Sequence, residues 1–353
     1  MMDNFESKFT DVNTLGEFGL IDRITSGLQM HHKTTVRGVG DDAAVIAGGD
    51  QHMLVSTDLL IEGIHFDLMY SPLKHLGYKA VVVNLSDIYA MNGQARQITV
   101  SIALSSKFSV EAIDELYKGI REACRIYKID LIGGDTTSSP KGLVISITAL
   151  GTADPKRICY RSGAKRGDII CTTGDLGAAY LGLQILEREK QLYLSNPGIQ
   201  PDLENQKYLL ERQLKPEARK DIVEYFLKYD LIPSSMIDIS DGLASDLMHI
   251  CKSSNVGAYL EEGKIPIKQE AQLMAIKFQL DPITTALNGG EDYELLFTVD
   301  EKDLEKIRLM PSVYIIGEIT GPEDGIKLHT TGGNIHPLKA QGWNHFDEES
   351  SKD

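Results

Sequence analysis

One stretch organises this chain: VSTDLLIEGIHF, residues 55–66. With the two apolar residues before it, this stretch begins as a buried strand and then turns polar at Ser56, Thr57 and Asp58. A strand of this kind delivers a carboxylate to its own edge, where a ligand can reach it. A single acid in such a place means little, so the prediction depends on whether the chain repeats the pattern.

The pattern is repeated in five further motifs that set acids among Gly, Ser and Thr. A hard cation requires oxygen ligands, close backbone approach and little steric bulk. For any one motif, a helix cap or a glycine turn is the better interpretation, but the repetition favours a site where several Mg²⁺ ions meet a polyphosphate. The motifs are GVGDD at 38–42, NLSD at 84–87, GGDTT at 133–137, DISDG at 238–242 and GGEDYE at 289–294.

The length of 353 residues exceeds what one hydrophobic core usually supports, so we expect two domains. The helix and strand pattern breaks at 151–155, which predicts domains at 1–152 and 153–353. The net charge of -15 argues against a nucleic-acid or anionic-membrane surface. It does not argue against a phosphate ligand, because bound cations invert the local field.

The cysteines and the N-terminus bear on the compartment. The four cysteines are scattered and form no C-x-x-C motif, which is typical of reduced thiols. The N-terminus has neither a basic nor an apolar signal region, and no run of about 18 apolar residues occurs. These features predict a cytoplasmic protein without membrane or nucleic-acid partners.

Residue periodicity predicts the elements that carry these motifs. The fold class expected is α+β, with two α/β-type domains rather than one doubly wound sheet. In the first domain, strands 97–104 and 143–149 should be antiparallel neighbours, and Ser109 should cap a helix between them. The other predictions are strands at 43–46, 52–57, 168–173, 293–299 and 313–319, helices at 15–24, 75–91, 178–189, 216–229, after 240 and from 282, and a surface excursion at 196–211.

Known phosphate-binding motifs are missing from the sequence. There is no G-x-x-x-x-G-K-[ST], no G-x-G-x-x-G after a strand, and no H-R-D or D-F-G pair. Phosphoryl transfer would therefore depend on carboxylates that hold metal ions. The candidate ligands are Asp42, Asp58, Asp87, Asp135 and Asp238.

Several other residues leave two interpretations open. His65 is either a packed strand-end residue or a phosphate contact, and Arg161 and Lys79 are either phosphate-binding or solvated cations. GDLG at 174–177 is either an anion-binding helix start or a tight turn. The aromatic pair in GWNHF at 342–346 either pins the tail or stacks on a heterocycle.

With RSGAK at 161–165, these motifs resemble those of the thiamine-monophosphate kinases, in order, from about residue 15 to 346. Single motifs are shared with AIR synthetase, selenophosphate synthetase and a hydrogenase-maturation protein. The resemblance implies an AIR synthetase-like fold. Its N-terminal mixed sheet would pair across a homodimer and hold metal and nucleotide phosphates, and its C-terminal α/β domain would complete the site.

The resemblance also implies a reaction. ATP would donate its γ-phosphoryl group to thiamine monophosphate by direct in-line transfer, assisted by several Mg²⁺ ions, to give thiamine diphosphate. The alternatives are another ATP-using enzyme of the superfamily, such as a ligase that activates an amide oxygen, and a non-catalytic Mg-nucleotide sensor.

The same resemblance implies roles for individual residues. Asp58, Asp87 and Asp238 would be catalytic through the metals they bind, and His65, Glu294 and Phe346 would contact substrate, with Glu291 and Trp343 as alternatives to the last two. Nucleotide contacts would be Gly134, Asp135, Arg161 and Ser240. Metal ligands would be Asp42, Ser56, Thr57, Asp58, Asp87, Asp135, Asp238 and Asp241.

Overall fold

The computed structural model describes residues 14–198, 200–201 and 203–339. Of these, residues 14–33 belong to one compact unit and the rest to another. The first unit contains helix α1 (Gly16–Thr25), which confirms the predicted helix. No helix among the described residues is both long and apolar enough to cross a membrane.

The first half of the larger unit is a six-stranded sheet with two helices. The strand order is β1-β2-β3-β6-β4-β5, and every neighbouring pair is antiparallel except the parallel pair β4 and β5. The elements are β1 (Thr35–Arg37), β2 (Ala44–Ile46), β3 (His52–Ile61), α2 (Leu73–Ala90), β4 (Gln94–Leu104), α3 (Val110–Tyr127), β5 (Asp130–Ser138) and β6 (Val144–Ala153).

Several predictions for this half are confirmed. Strands β4 and β6 are antiparallel neighbours, and β2 pairs with β3 as a hairpin partner. Ser109 caps α3, since its side chain accepts a hydrogen bond from the Ala112 N–H at 3.2 Å. The alternation that predicted the strands therefore also set their pairing.

The two faces of this sheet differ in burial. Along β6, Ile145, Ile147 and Ala149 are buried in the core with residues of α2 and α3. The intervening Ser146 and Thr148 are only half-buried. We call this second side, which also carries the exposed Leu59 of β3, the open face.

Helices α2 and α3 pack with their backbones in contact. A Cβ added at Gly119 would lie 1.8 Å from the Lys74 carbonyl oxygen, and one added at Gly77 would lie 2.0 Å from that of Leu116. Only glycine permits this approach. The close packing buries α2 almost throughout and fixes the position of Asp87 near its C-terminal end.

The second half is a seven-stranded sheet with flanking helices. The strand order is β13-β12-β9-β11-β7-β10-β8, and β9 and β12 are its parallel pair. The strands are β7 (Ile169–Thr173), β8 (Ser235–Ile239), β9 (Gly257–Glu261), β10 (Glu294–Val299), β11 (Val313–Thr320), β12 (Ile326–His329) and β13 (Ile335–Pro337). The helices are α4 (Ala178–Ser195), α5 (Lys207–Leu214), α6 (Lys220–Lys228), α7 (Leu243–Ser254), α8 (Gln269–Lys277), α9 (Pro282–Asn288) and α10 (Leu304–Arg308).

The two halves confirm the predicted fold class, while the predicted boundary at 152/153 stays a proposal. The surface excursion predicted at 196–211 is wrong in part, because α5 begins at Lys207 and buries Leu209 to 1% exposure. The GGDTT motif lies within β5 instead of at the end of an element. All nine residues of this edge strand are exposed, so it has no burial alternation for periodicity to detect.

Candidate active site

Three carboxylates from separate parts of the chain meet in the larger unit. One oxygen each of Asp42, Asp87 and Asp238 lies within 4.8 Å of the others. Asp42 comes from the loop before β2, Asp87 from α2 and Asp238 from β8 of the second sheet. We call these three residues the acid cluster. Both halves of the larger unit therefore contribute to it.

Hydroxyl groups orient the carboxylates of the acid cluster. The Ser56 hydroxyl donates to Asp87, and the Ser86 hydroxyl donates to Asp238 at 2.6 Å. A hydroxyl group of β3 thus orients the carboxylate of α2, and a hydroxyl group of α2 orients the carboxylate of β8. Such outer partners fix the orientation of ligating carboxylates in metal sites.

Arg161 holds the third carboxylate, that of Asp42. Its Nε and Nη2 donate to Asp42 Oδ1 at 3.0 and 2.5 Å. The backbone N–H of Arg161 donates to Asp41 at 2.8 Å, and Arg37 donates to the other oxygen of Asp41. The remaining oxygen of Asp42, Oδ2, is buried and has no hydrogen-bond partner among the described residues.

The electrostatics of the cluster disfavour three ionised carboxylates. Burial, followed by the charge of Asp238, raises the pKa of Asp42 to about 7 against the attraction of Arg161. Burial and the charge of Asp58 raise the pKa of Asp87 well above its usual range. Burial also raises the pKa of Asp238 to about 6. Ionised carboxylates this close are costly unless a cation lies between them.

Asp58 lies beside the cluster on β3. Its backbone N–H donates to Asn84 Oδ1 at 2.9 Å, and burial raises the pKa of its carboxyl to about 6. The neighbouring Thr57 points to the opposite face of the strand, where its hydroxyl donates to the Ile147 carbonyl oxygen at 3.1 Å. Ser56 and Asp58 therefore face the cluster, whereas the side chain of Thr57 lies on the open face.

The DISDG motif continues the site beyond β8. Asp241 acts on the cluster through its charge, which raises the pKa of Asp238 after burial and the charge of Asp58. A further carboxylate, Asp246, is buried in the first turn of α7 and accepts from the Gly242 N–H at 3.2 Å. The sequence analysis missed Asp246, because an acid in the first turn of a helix is favourable at any helix start and does not by itself indicate a site.

Alternate side chains of the GGEDYE motif lie on opposite sides of the backbone and have different partners. Glu291 forms an ion pair with Lys79 at 2.8 Å and accepts from Gln213 at 2.6 Å. Glu294 is buried and forms ion pairs with Arg212 at 3.1 Å and Arg219 at 2.5 Å.

Asp292 lies on the same side as Glu294, with a carboxylate oxygen 3.6 Å from the Arg212 side chain. Glu291 thus pairs with a residue of α2, the helix that carries Asp87, whereas Glu294 pairs with Arg212 and Arg219. Lys79, considered as a phosphate contact, is buried against Glu291 and the Gln213 carbonyl oxygen.

The GDLG turn is already occupied by an internal carboxylate. Asp292 Oδ2 accepts from the Gly177 N–H at 2.8 Å, at the start of α4. Because this N–H group is taken, it is not available to an external anion, which favours the tight-turn interpretation.

Gly134 and Asp135 lie apart from the acid cluster. Strand β5 is three strands from β3, roughly 14 Å at ordinary strand spacing. Asp135 pairs in register with Ser101, which pairs with Ser146 of the open face. A cavity of about 530 Å³ runs along this edge and includes Tyr117 of α3, which the sequence analysis missed because a lone helical Tyr carries no signal.

The predicted substrate residues are placed as follows. His65 is half-buried, and its Nδ1 accepts from the Ile61 N–H at 3.1 Å. Phe346 and Trp343 lie outside the described residues. A second cavity, of about 610 Å³, is lined by Glu294, Arg212 and Arg219.

Comparisons with known proteins identify the family of this chain. The model of the AIR synthase related protein N-terminal domain matches residues 40–153, and that of the C-terminal domain matches residues 165–329. The chain is therefore an AIR synthase related protein.

Its relatives define the particular family. A thiamine-monophosphate kinase of Buchnera aphidicola subsp. Schizaphis graminum is 37% identical over 94% of this chain and 98% of its own. One of Aquifex aeolicus is 34% identical over 94% and 98%. A solved structure of AaThiL complexed with AMPPCP and TMP has a TM-score of 0.80, with 32% identity over 96% of this chain and 100% of that one. The chain belongs to the thiamine-monophosphate kinase family.

Proposed function

We propose that this protein transfers the γ-phosphoryl group of ATP to the phosphate of thiamine monophosphate, giving thiamine diphosphate and ADP. The observation that carries the proposal is the convergence of Asp42, Asp87 and Asp238 from both halves of the unit. Family membership supports the choice of acceptor, since a related structure is complexed with AMPPCP and TMP.

The reaction is a direct displacement. An oxygen of the thiamine monophosphate phosphate forms a bond to the γ-phosphorus while the bond from that phosphorus to the β,γ-bridging oxygen breaks. The electron pair of the broken bond stays with ADP. The attacking oxygen is already an anion at neutral pH, so no general base is needed and no residue is phosphorylated.

The donor set fits Mg²⁺. Its ligands are carboxylates, and Asp42 Oδ2 is buried without a partner among the described residues, as an oxygen reserved for a cation would be. Asp42, Asp58, Asp87 and Asp238 would hold the ions, with Ser56 and Asp241 close by. Bound Mg²⁺ would neutralise charge on the phosphates as they meet.

The protein's own groups would hold the two substrates. Arg161, which pairs with Asp42, and Ser240, two residues after Asp238, would contact the nucleotide phosphates. Gly134 and Asp135 border a cavity with room for a base beside Tyr117. For the substrate cation, Glu291 is better placed than Glu294, because it pairs with Lys79 of α2, the helix that carries Asp87. His65 and an aromatic residue of the C-terminal tail would complete that contact.

We also propose a homodimer in which a second copy covers the open face. Leu59 is 49% exposed on this face, beside half-buried hydroxyl and apolar side chains of β4 and β6. Strand β5 ends the sheet with its full length exposed, and uncovered edges of this kind are normally protected. A cytoplasmic location stays a prediction, as does the division into domains at 152/153.

An acceptor-dependent assay tests the function. Purified protein with ATP and Mg²⁺ should form ADP and thiamine diphosphate in equal amounts, and only when thiamine monophosphate is present. ADP formed without thiamine diphosphate would favour another enzyme of the superfamily. Nucleotide binding without product under any acceptor would favour a sensor.

A further inference from the structure

Tyr293 lies beside the acid cluster without belonging to it. Strand β10 pairs with β8 so that Leu295 faces Asp238 and Glu294 faces Ile239. The Tyr293 N–H extends this pairing by donating to the Ile239 carbonyl oxygen at 2.8 Å. Tyr293 therefore flanks the strand end that carries Asp238.

The backbone at this point is held in an unusual conformation. Tyr293 has a φ of +52° and Glu291 a φ of +64°, values that residues other than glycine rarely adopt. The Glu291 N–H donates to the Ser240 carbonyl oxygen at 2.8 Å, which fixes the loop against the DISDG motif. Strained backbone of this kind persists where surrounding contacts hold it, and it concentrates at functional sites.

The Tyr293 side chain combines a buried ring with an unused hydroxyl. The residue is 8% exposed, and no described residue donates to or accepts from its hydroxyl. Burial raises the pKa of this hydroxyl well above its usual range, and the nearby charges of Glu291 and Asp58 raise it further, so the proton stays in place. Tyrosine hydroxyls inside a protein normally find a partner. This hydroxyl has none among the described residues and is not fully enclosed, so it is a donor available to a ligand.

We propose that the Tyr293 hydroxyl donates a hydrogen bond to an oxygen of the phosphoryl group that is transferred. This inference rests on the proposed function and adds a residue to the same site. A neutral donor suits the position, because a lysine or arginine there would compete with metal ions for the carboxylates and another acid would repel the phosphate. No proton leaves Tyr293 during the transfer.

The test compares Tyr293→Phe with wild-type protein that has first been shown to make thiamine diphosphate. We expect kcat to fall about 10- to 100-fold, as for loss of one hydrogen bond to a charged group, and KM for ATP and thiamine monophosphate to stay within about twofold. The melting temperature should not fall, since the hydroxyl has no partner in the described part of the protein. Tyr89→Phe, which alters a 2% exposed tyrosine of the N-terminal core, should keep wild-type kcat.

Several results would overturn the proposal. A kcat within twofold of wild type would show that the hydroxyl does not take part, and a raised KM with unchanged kcat would place it on a bound substrate instead. A loss of secondary structure would make its role structural. Wild-type protein that forms no thiamine diphosphate would refute the reaction itself, a result visible without any variant.

Discussion

At the scale of single residues, the acid cluster destabilises the metal-free protein but suits it to bind cations. Asp42, Asp87 and Asp238 are gathered with one fixed counter-charge among the described side chains bonded to them, the guanidinium of Arg161. Natural active sites often hold such destabilising groups, because removal of the conflict would remove the function.

Asp87→Asn should therefore separate activity from stability. We expect turnover to fall by at least about 100-fold, because a metal ligand is lost, and the metal-free protein to gain roughly 1–2 kcal/mol of unfolding free energy. Steady-state assays and chemical denaturation without Mg²⁺ measure the two effects. Asp114→Asn, on the exposed side of α3, should change neither. Near-normal turnover in Asp87→Asn would remove this residue from the metal site.

The raised pKa of Asp42 predicts how stability depends on pH. The folded protein keeps a proton on Asp42 up to about pH 7, whereas the unfolded chain releases it near its ordinary value of 3.8. The contribution of Asp42 to the stability of the metal-free protein should be fully present below about pH 4. This contribution should be lost as the pH rises through 7. The expected loss is on the order of a few kcal/mol.

Thermal unfolding from pH 5 to 8, with a chelator or with Mg²⁺, measures this effect. Mg²⁺ should restore most of the loss at pH 8, because it replaces the proton as the neutralising charge. A melting temperature that rises with pH in the chelator series would contradict the explanation.

At the scale of elements, the crossing of α2 and α3 sets the position of Asp87. Gly119→Ala should destabilise the protein by roughly 2–3 kcal/mol or more, because the added methyl would meet the Lys74 carbonyl oxygen at 1.8 Å. Helix propensity alone predicts the opposite sign, a gain of about 1 kcal/mol.

Gly19→Ala in α1 is the matched control, since its added methyl meets only the Leu15 Cβ at 3.4 Å. Denaturant titration of both variants decides between the two effects. Equal stability changes in the two variants would show that the helices can separate without penalty.

How far the sequence predicts these elements depends on burial. Strands β4 and β6 alternate between core and open face, so their existence and pairing could be predicted. Strand β5 is exposed throughout and α5 buries only Leu209 and Gln213, so neither leaves a strong pattern.

The residues of the site also differ in how far the sequence predicts them. Acids beside glycine and serine could be recognised from their composition, whereas Asp246 and Tyr117 became visible only through their neighbours in space. Which of Glu291 and Glu294 faces the substrate depends on the left-handed backbone at Glu291. Residues other than glycine rarely adopt this conformation, so the sequence does not predict it.

At the scale of the whole molecule, the open face predicts the oligomeric state. Thr148 lies on β6, near the middle of this face. We expect wild-type protein to sediment as a dimer and Thr148→Arg to sediment as a monomer with reduced activity, because an unpaired charge would be buried in the interface. Ser253→Arg, on the exposed side of α7, should remain a dimer. A monomeric wild type at micromolar concentration would refute the dimer.

The alternation within GGEDYE makes the length of this loop as important as its composition. Inserting or deleting one residue before Leu295 would exchange the two sets of side chains. Asp292 and Glu294 would then crowd the carboxylates around Asp238, and Arg212 would lose its counter-ions in the interior. Homologues and designed variants should thus tolerate substitutions in this segment far better than any change in residue count.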